Sequence, residues 1–220
     1  RALIKDHQVR GFIGFLLVTS LAVGTWLYFH SDYGWWDAFR IVAVNVTSVV
    51  TTTGIAVGDY TLWGSFAVLL FFYLTFVGGC SGSTAGGLKI FRFQVAAALL
   101  VSSLKQLIHP RAVIQKKYNG HPIDEEIVRS LLTFSFFFTI TIAAIALGLA
   151  LIGLDWTTAL SGAATAVCNV GPGLGTIIGP AGNFSSLPDA AKWLLTVGML
   201  LGRLEILTVL VLVTPVFWRY

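Results

Sequence analysis

Long apolar stretches alternate with short polar breaks along this chain. The windows 11–28, 62–78, 131–152 and 193–213 consist almost entirely of apolar residues. Each is close to the roughly 20 residues that an α-helix needs to cross about 30 Å of hydrocarbon. The apolar runs are continuous rather than alternating, which argues against an outer-membrane β-barrel. The pattern therefore predicts membrane-spanning helices.

Two further apolar segments, 37–50 and 156–167, are too short to cross a membrane. The first is followed by TTTGI and the second by CNVGP, and in both cases small residues surround a glycine. Each half of the chain has the same order of a long span, a short segment, a glycine-containing stretch and a second long span. Gly54 and Gly171 are 117 residues apart in this arrangement. The sequence therefore predicts an internal repeat.

The short segments are predicted to enter the membrane and return on the same side. Non-helical backbone at membrane depth is tolerated only where protein buries it or where it lines water. Glycine permits the backbone angles needed there, and the C-terminal end of a helix favours a cation. The alternative is a pair of interfacial helices with ordinary glycine turns, which leaves the repeated order unexplained. Backbone carbonyls replace the hydration shell of an ion in cation filters, and the candidates here belong to Thr52, Thr53, Gly54, Asn169, Val170 and Gly171.

Composition and charge support the membrane interpretation. The chain is 56% hydrophobic and 11% charged, with a mean hydropathy of +0.83, whereas soluble domains carry about 25% charged residues. Basic residues lie before, between and after the spans: Arg1, Lys5, Arg10, Lys105, Arg111, Lys116, Lys117, Arg129 and Arg219. The other loops contain Asp32, Asp37, Asp59, Asp155 and Asp189, with Arg40 and Lys192. Because basic loops stay in the cytoplasm, both termini and the 105–129 loop are predicted to lie inside.

Chemistry-bearing motifs are scarce. The two cysteines lack CxxC spacing, and no pair of histidines has the spacing of metal ligands. The sequence shows no recognisable set of a nucleophile, a general base or metal ligands that would form a catalytic site, so an enzyme is not predicted. The basic residues lack the interleaved stacking aromatics of a nucleic-acid site. We therefore expect no bound cofactor, no nucleic-acid partner and no metal other than an ion at the candidate carbonyls.

A glycine-rich decapeptide, GGCSGSTAGG, interrupts what would otherwise be one long span. Glycine costs about 1 kcal/mol at each helical position, so its five glycines predict a break in the helix. The segment comprises Gly78, Gly79, Cys80, Ser81, Gly82, Ser83, Thr84, Ala85, Gly86 and Gly87.

Arg203 lies inside the last apolar window. A charge at the centre of a membrane helix costs about 2.5–3.5 kcal/mol on insertion scales, so Arg203 needs a partner or water. Glu205 is two residues away and does not share its helix face. Backbone carbonyls of the 78–87 segment are the predicted partner, and a snorkelling side chain is the alternative.

Four motifs in this order resemble the TrkH/KtrB/HKT superfamily of potassium transporters. VTSVVTTTGIAVGDY and GAATAVCNVGPGLGT resemble its third and fourth pore loops, FVGGCSGSTAGGLKIFR its interrupted helix and GRLEILTVLVLVTPVFW its last helix. The resemblance is closest to the bacterial TrkH branch. It implies an all-α membrane protein with two repeats, each a first span (M1), a pore helix, a filter loop and a second span (M2). These would be half of a four-repeat, potassium-channel-like pore.

The resemblance also implies a function and partners. Residues 1–105 would form the third-type repeat, 106–128 a basic cytoplasmic linker and 129–220 the fourth-type repeat. The expected activity is potassium uptake, with rubidium permeating and sodium excluded less sharply, and with the 78–87 segment and Arg203 as gate. Expected partners are the N-terminal half of the same protein, a second copy in a homodimer and a cytoplasmic nucleotide-binding ring protein, in the bacterial inner membrane. The alternative is an alternating-access secondary transporter with a midplane cation site at its broken helices.

Overall fold

The computed structural model describes residues 6–112, 115, 117–204, 206–215 and 217–219. The described part is mostly helical. The helices are α1 (His7–His30), α2 (Trp35–Val50), α3 (Ser65–Phe76), α4 (Ile90–Ile108), α5 (Glu125–Leu151), α6 (Trp156–Cys168), α7 (Gly175–Ile178), α8 (Asp189–Arg203) and α9 (Ile206–Val213). Short 3₁₀ helices cover Tyr60–Trp63 and Phe217–Arg219. The strands are β1 (Val77–Gly78), β2 (Leu88–Lys89), β3 (Lys117–Tyr118) and β4 (His121–Pro122).

Helices α1 and α2 pack along each other in the first half of the chain. Asp6 caps α1, because its carboxylate accepts a hydrogen bond from the Gln8 N–H at 2.7 Å. Gly24 lets the two helices approach closely, since a Cβ there would lie 3.3 Å from the Cα of Phe39. The buried side of α2 carries Val42, Val46, Val49 and Val50. This packing holds the short helix in place against a long one.

Among the described residues, the helices α1, α4 and α5 are long and apolar enough to cross a membrane by length and composition. The prediction of a long span over 62–78 is wrong in its extent, because α3 has only 12 residues. The physical reason lies at Gly64, whose φ of 108° separates the Tyr60–Trp63 3₁₀ helix from α3. A continuous helix does not pass through that backbone conformation.

The predicted break over 78–87 is present as non-helical backbone between α3 and α4. Strands β1 and β2 pair in parallel, with Val77 opposite Leu88 and Gly78 opposite Lys89. The Ile90 N–H also donates to the Gly79 carbonyl at 3.1 Å. The ends of the segment therefore meet, and we call residues 79–87 the glycine-rich loop.

Helices α5, α6 and α8 pack together in the second half, and α3 of the first half packs against α6. The prediction of one span over 193–213 is corrected, because α8 ends at Arg203 and α9 begins at Ile206. Gly198 and Gly202 lie in the last two turns of α8, and each glycine weakens a helix by about 1 kcal/mol. Arg203 therefore occupies a helix end rather than a helix centre. Glu205 lies outside the described residues.

The linker between the halves contains a small hairpin, in which β3 pairs antiparallel with β4. Asn119 and Gly120 form its turn with positive φ angles of 51° and 82°. The Tyr118 hydroxyl contacts the Gln94 side chain of α4, and its ring lies 5.2 Å from that of Phe91. The hairpin is thus fixed to α4. Lys116 lies outside the described residues, as do Arg1 and Lys5.

Asp155 sets the start of α6, the second short helix. Its carboxylate accepts a hydrogen bond from the Thr158 N–H at 3.1 Å, and hydrogen bonds from Thr158 hold the pKa of Asp155 below its usual value. The lowered pKa means that this stabilisation is present above the unfolded-state pKa and is lost as the pH falls through the folded-state pKa.

Asp155→Ala is expected to destabilise the protein by about 1 kcal/mol, because α6 loses its N-cap. Asp155→Asn keeps a capping oxygen but no charge. The difference in melting midpoint between wild type and Asp155→Asn, measured in detergent, should shrink as the pH falls below about 4. A difference that stays constant down to pH about 3 would contradict the assignment of the charged cap.

Candidate functional site

The two short helices end in the same hydrogen-bonded turn. After α2, the Thr52 N–H donates to the carbonyl three residues earlier at 3.1 Å, and the Thr53 N–H to the carbonyl five residues earlier at 2.8 Å. After α6, Asn169 and Val170 make the corresponding hydrogen bonds, both at 3.0 Å. Thr52 and Asn169 share a left-handed φ of 55°. This is a Schellman-type helix end, and it occurs at two positions 117 residues apart.

Thr52 adopts a conformation that is rare for a β-branched residue. Strained backbone of this kind persists only where the surrounding structure imposes it. Here the Thr52 hydroxyl accepts a hydrogen bond from the Gly86 N–H at 3.2 Å. The strained residue therefore connects the turn after α2 to the glycine-rich loop.

The two turns also touch each other. A Cβ built on Gly54 would lie 2.4 Å from the Val170 carbonyl oxygen, and one built on Gly171 would lie 3.6 Å from the Gly54 Cα. Both glycines have positive φ, 79° at Gly54 and 116° at Gly171. The structure thus brings together all six residues of the predicted carbonyl set, at the C-terminal ends of α2 and α6.

Polar side chains on the short helices anchor the chain beyond each turn. The Asn45 side chain donates to the Val57 carbonyl at 2.7 Å and accepts from the Val57 N–H at 2.8 Å. The Ser161 hydroxyl accepts from the Leu174 N–H at 3.0 Å. Val57 and Leu174 are again 117 residues apart. These anchors were not predicted from the sequence, although buried polar residues in short apolar helices are a usable signal.

A third polar side chain supports the second turn directly. The Thr165 hydroxyl accepts from the Gly171 N–H at 3.0 Å. The corresponding residue of α2 is Ser48, whose buried hydroxyl has no hydrogen-bond partner among the described residues. The two turns therefore share a backbone conformation but differ in how their side chains support it.

The glycine-rich loop contacts both turns. Besides its hydrogen bond to Thr52, Gly86 approaches the end of α6, where a Cβ would lie only 2.0 Å from the Cys168 carbonyl oxygen and 3.1 Å from the Asn169 Cβ. Only a residue without a side chain fits between these groups. The Gln8 side chain of α1 holds the loop from another side, since its oxygen accepts from the Ser81 N–H at 3.0 Å.

Arg203 contacts the same loop from α8. Its guanidinium donates a hydrogen bond to the Thr84 carbonyl. Next to it, Gly202 lies so close to the end of α6 that a Cβ would be 1.8 Å from the Val167 carbonyl oxygen. The Asn169 side-chain amide donates to the Met199 carbonyl at 3.1 Å. Helix α8 thus supports both the turn after α6 and the loop.

Several of the acidic residues outside the basic segments have local partners in the structure. Asp37 pairs with Arg40 and Asp189 with Lys192, each at 3.2 Å and each within one helix turn. The Asp59 carboxylate accepts from the Thr61 N–H at 2.9 Å. These carboxylates therefore have capping and pairing roles in addition to their charge.

Together these features define a mostly helical, membrane-type protein in which broken helices converge on two turns and one loop. The chain belongs to the TrkH family, described as cation transport proteins, whose model matches residues 1–220. It is 61% identical over 218 residues to the Trk system potassium uptake protein TrkI of Halomonas elongata, covering 99% of this chain and 44% of that protein. It is 37% identical to the TrkH potassium uptake protein of Vibrio parahaemolyticus, covering 98% of this chain and 44% of that protein.

The fold agrees with a solved structure. The crystal structure of the potassium transporter TrkH from Vibrio parahaemolyticus matches with a TM-score of 0.89 and 36% sequence identity, over 99% of this chain and 46% of the crystallised one. The chain therefore spans less than half the length of the relatives it matches. These relatives are transporters rather than enzymes by name.

Proposed function

We propose that this chain forms part of the wall of a potassium-conducting pore. The observation that carries the proposal is the convergence of the two Schellman turns and the glycine-rich loop, with Gly54 against the Val170 carbonyl and Gly86 against both turns. Carbonyl oxygens displayed by such turns are the ligands that replace the hydration shell of potassium. The relatives are named as potassium uptake proteins, which supports potassium as the permeant ion.

In this proposal the carbonyls of residues 52–54 and 169–171 are filter ligands. Each short helix directs its partly negative C-terminal end at the site, which favours a cation. Rubidium has a similar size and coordination to potassium and is expected to permeate, while sodium is discriminated less sharply than in a longer filter. The glycine-rich loop is the gate, and the Arg203 hydrogen bond holds it.

The rest of the pore comes from outside this chain in the same proposal. Two repeats supply half of a four-repeat ring, so the N-terminal half of the same protein supplies the other ligands. A homodimer of pore subunits, a cytoplasmic nucleotide-binding ring protein and the bacterial inner membrane complete the assembly that we propose. The hairpin at 117–122, which is fixed to α4 through Tyr118 and Gln94, is the candidate contact for the regulator.

Rubidium flux and electrical recording test the function. The complete protein, reconstituted in proteoliposomes, should take up radioactive rubidium and should show unitary potassium currents in planar bilayers. Flux without unitary currents would replace the pore with an alternating-access carrier. Absence of flux for both rubidium and potassium, in protein that elutes as a single species, would contradict the function altogether.

Topology is tested by thiol labelling. Cysteines introduced at Tyr33 and Ser185, which are both exposed, are expected to react with an impermeant reagent added outside intact cells, because their loops are acidic. A cysteine at Asn119, in the exposed turn of the hairpin, should react only in inside-out vesicles. Labelling of the Asn119 variant in intact cells would overturn the re-entrant arrangement.

A further inference from the structure

Lys89 lies where the glycine-rich loop joins α4. It is the last residue of β2 and immediately precedes the helix. Its ammonium bends back over the loop. There it donates to the Ser83 carbonyl at 2.8 Å and the Ser83 hydroxyl at 3.3 Å, and it also contacts the Ala85 carbonyl.

Three successive carbonyls of the loop therefore contact cationic side chains. Lys89 donates hydrogen bonds to the carbonyls of Ser83 and Ala85, and Arg203 donates one to the carbonyl of Thr84. Hydrogen bonds to charged groups are about twice as strong as those between neutral groups. The two cations reach the loop from different halves of the chain, Lys89 from the start of α4 and Arg203 from the end of α8.

The same carbonyls are also potential ligands for a permeating ion. Backbone carbonyls clustered on one short segment bind a dehydrated cation. A side-chain cation that already occupies them satisfies the carbonyls and repels a second positive charge nearby. Lys89 and Arg203 thus act as tethered cations on these carbonyls.

We propose that Lys89 is a second positioning residue of the gate, which keeps the glycine-rich loop closed together with Arg203. The proposal rests on the proposed pore function. In this proposal Lys89, which immediately precedes α4, holds the tip of the loop, residues 83–85. A regulator that displaces the start of α4 then draws the ammonium away from the loop. The ladder between β1 and β2 keeps the ends of the loop joined during that movement.

The test compares matched lysine variants of the complete protein, reconstituted without its regulator. Lys89→Met keeps a long unbranched side chain, one atom shorter, but has no donor, and it should raise rubidium flux by about tenfold, the equivalent of about 1.4 kcal/mol. Lys89→Arg retains the charge and several donors, so its rubidium flux should stay near that of wild type. Lys105→Met is the control, because Lys105 lies in the last turn of the same helix.

A second measurement follows the loop itself and does not depend on flux. The native thiol of Cys80 lies in the loop and is partly accessible, whereas Cys168 is buried. Lys89→Met should speed the labelling of Cys80 by an impermeant maleimide in inside-out vesicles. Loss of a nearby cation by itself disfavours the reactive thiolate, so faster labelling reports loop movement rather than electrostatics. Lys89→Gln is the substitute if Lys89→Met does not fold.

The outcomes separate this proposal from the proposed function. Higher flux and faster Cys80 labelling in Lys89→Met, with Lys89→Arg and Lys105→Met unchanged, support the positioning role. Wild-type flux in Lys89→Met overturns it, whether or not Cys80 labelling changes. If deletion of residues 81–83 raises rubidium flux above the wild-type level while Lys89→Met does not, the role of Lys89 is contradicted and the loop remains the gate. If neither variant raises the flux, the assignment of the loop as the gate is contradicted as well.

Discussion

Gly54→Ala is expected to remove most of the discrimination between potassium and sodium. Two effects act together at this position. A non-glycine residue at a φ of 79° costs about 1–2 kcal/mol, and the new Cβ would lie 2.4 Å from the Val170 carbonyl oxygen. The atom that it meets belongs to the backbone, so one of the two turns must move. The expected result is a loss of about tenfold or more in the potassium-to-sodium permeability ratio, measured from reversal potentials of the complete protein.

Gly58→Ala is the matched control for this substitution. Gly58 has a φ of 75°, nearly the same as that of Gly54, but a Cβ there meets no atom within 4 Å. It therefore introduces the same backbone strain without the collision. If Gly58→Ala reduces selectivity as much as Gly54→Ala does, strain alone explains the effect, and the contact between the turns has no role in selectivity.

Gly171 provides a graded comparison. Its φ of 116° is also unfavourable for other residues, but a Cβ there would approach only the Gly54 Cα, at 3.6 Å. This is an ordinary van der Waals distance. Gly171→Ala should therefore impair selectivity less than Gly54→Ala, through strain rather than collision.

The elements of the candidate site were predictable from the sequence because each depends on local chemistry. The short helices at 37–50 and 156–167 follow from apolar runs of limited length, and they agree closely with α2 and α6. The break over 78–87 follows from five glycines in ten residues. The contact between Arg203 and the loop follows from the need of a membrane-embedded charge for a partner, and the Thr84 carbonyl supplies it.

The remaining features could not be predicted from the hydrophobic pattern. The left-handed conformation of Thr52 contradicts the preference of a β-branched residue, and its hydroxyl finds Gly86 across 34 residues of sequence. The shortening of α3 depends on the φ of Gly64, although glycine within an apolar run is compatible with a helix. Helix α8 likewise ends at Arg203, although the sequence on both sides of this residue is apolar and predicted one continuous span. At Thr52 a tertiary contact overrides the local preference, whereas α3 and α8 are shortened at or near glycines that the apolar pattern does not weigh.

The structure also changes the mechanical picture of the glycine-rich loop. Its glycine content suggests a soft hinge, but several contacts hold the loop in place. Its ends are joined by the β1–β2 ladder. The other contacts are Gln8 to Ser81, Lys89 to Ser83, Arg203 to Thr84 and Gly86 to Thr52. The glycines allow the loop backbone to approach neighbouring backbone closely, as at Gly86, rather than making the loop flexible. If the loop is the gate, as proposed, opening would require that specific hydrogen bonds break, and each would be a separate point of control.

Removing the Arg203 contact is expected to open the path without the regulator. Arg203→Ala deletes a charge-assisted hydrogen bond of about 1.5–3 kcal/mol, so rubidium flux through the reconstituted complete protein should rise by about tenfold to a hundredfold. Deleting residues 81–83 should have at least as large an effect, because the shortened loop no longer reaches both Thr52 and the end of α6. Selectivity should change little in either variant, since the turns at 52–54 and 169–171 stay intact.

Two controls make the result specific. Arg40→Ala removes an exposed arginine that pairs with Asp37 within α2, and it should leave flux unchanged. Arg203→Lys keeps the charge but lacks the planar fork of donors. Its rubidium flux should lie between those of wild type and Arg203→Ala. Unchanged flux in a correctly folded Arg203→Ala protein would show that the contact does not hold the loop. A loss of potassium selectivity that accompanies the higher flux would instead place Arg203 among the supports of the filter, because Asn169 is held by the same helix through Met199.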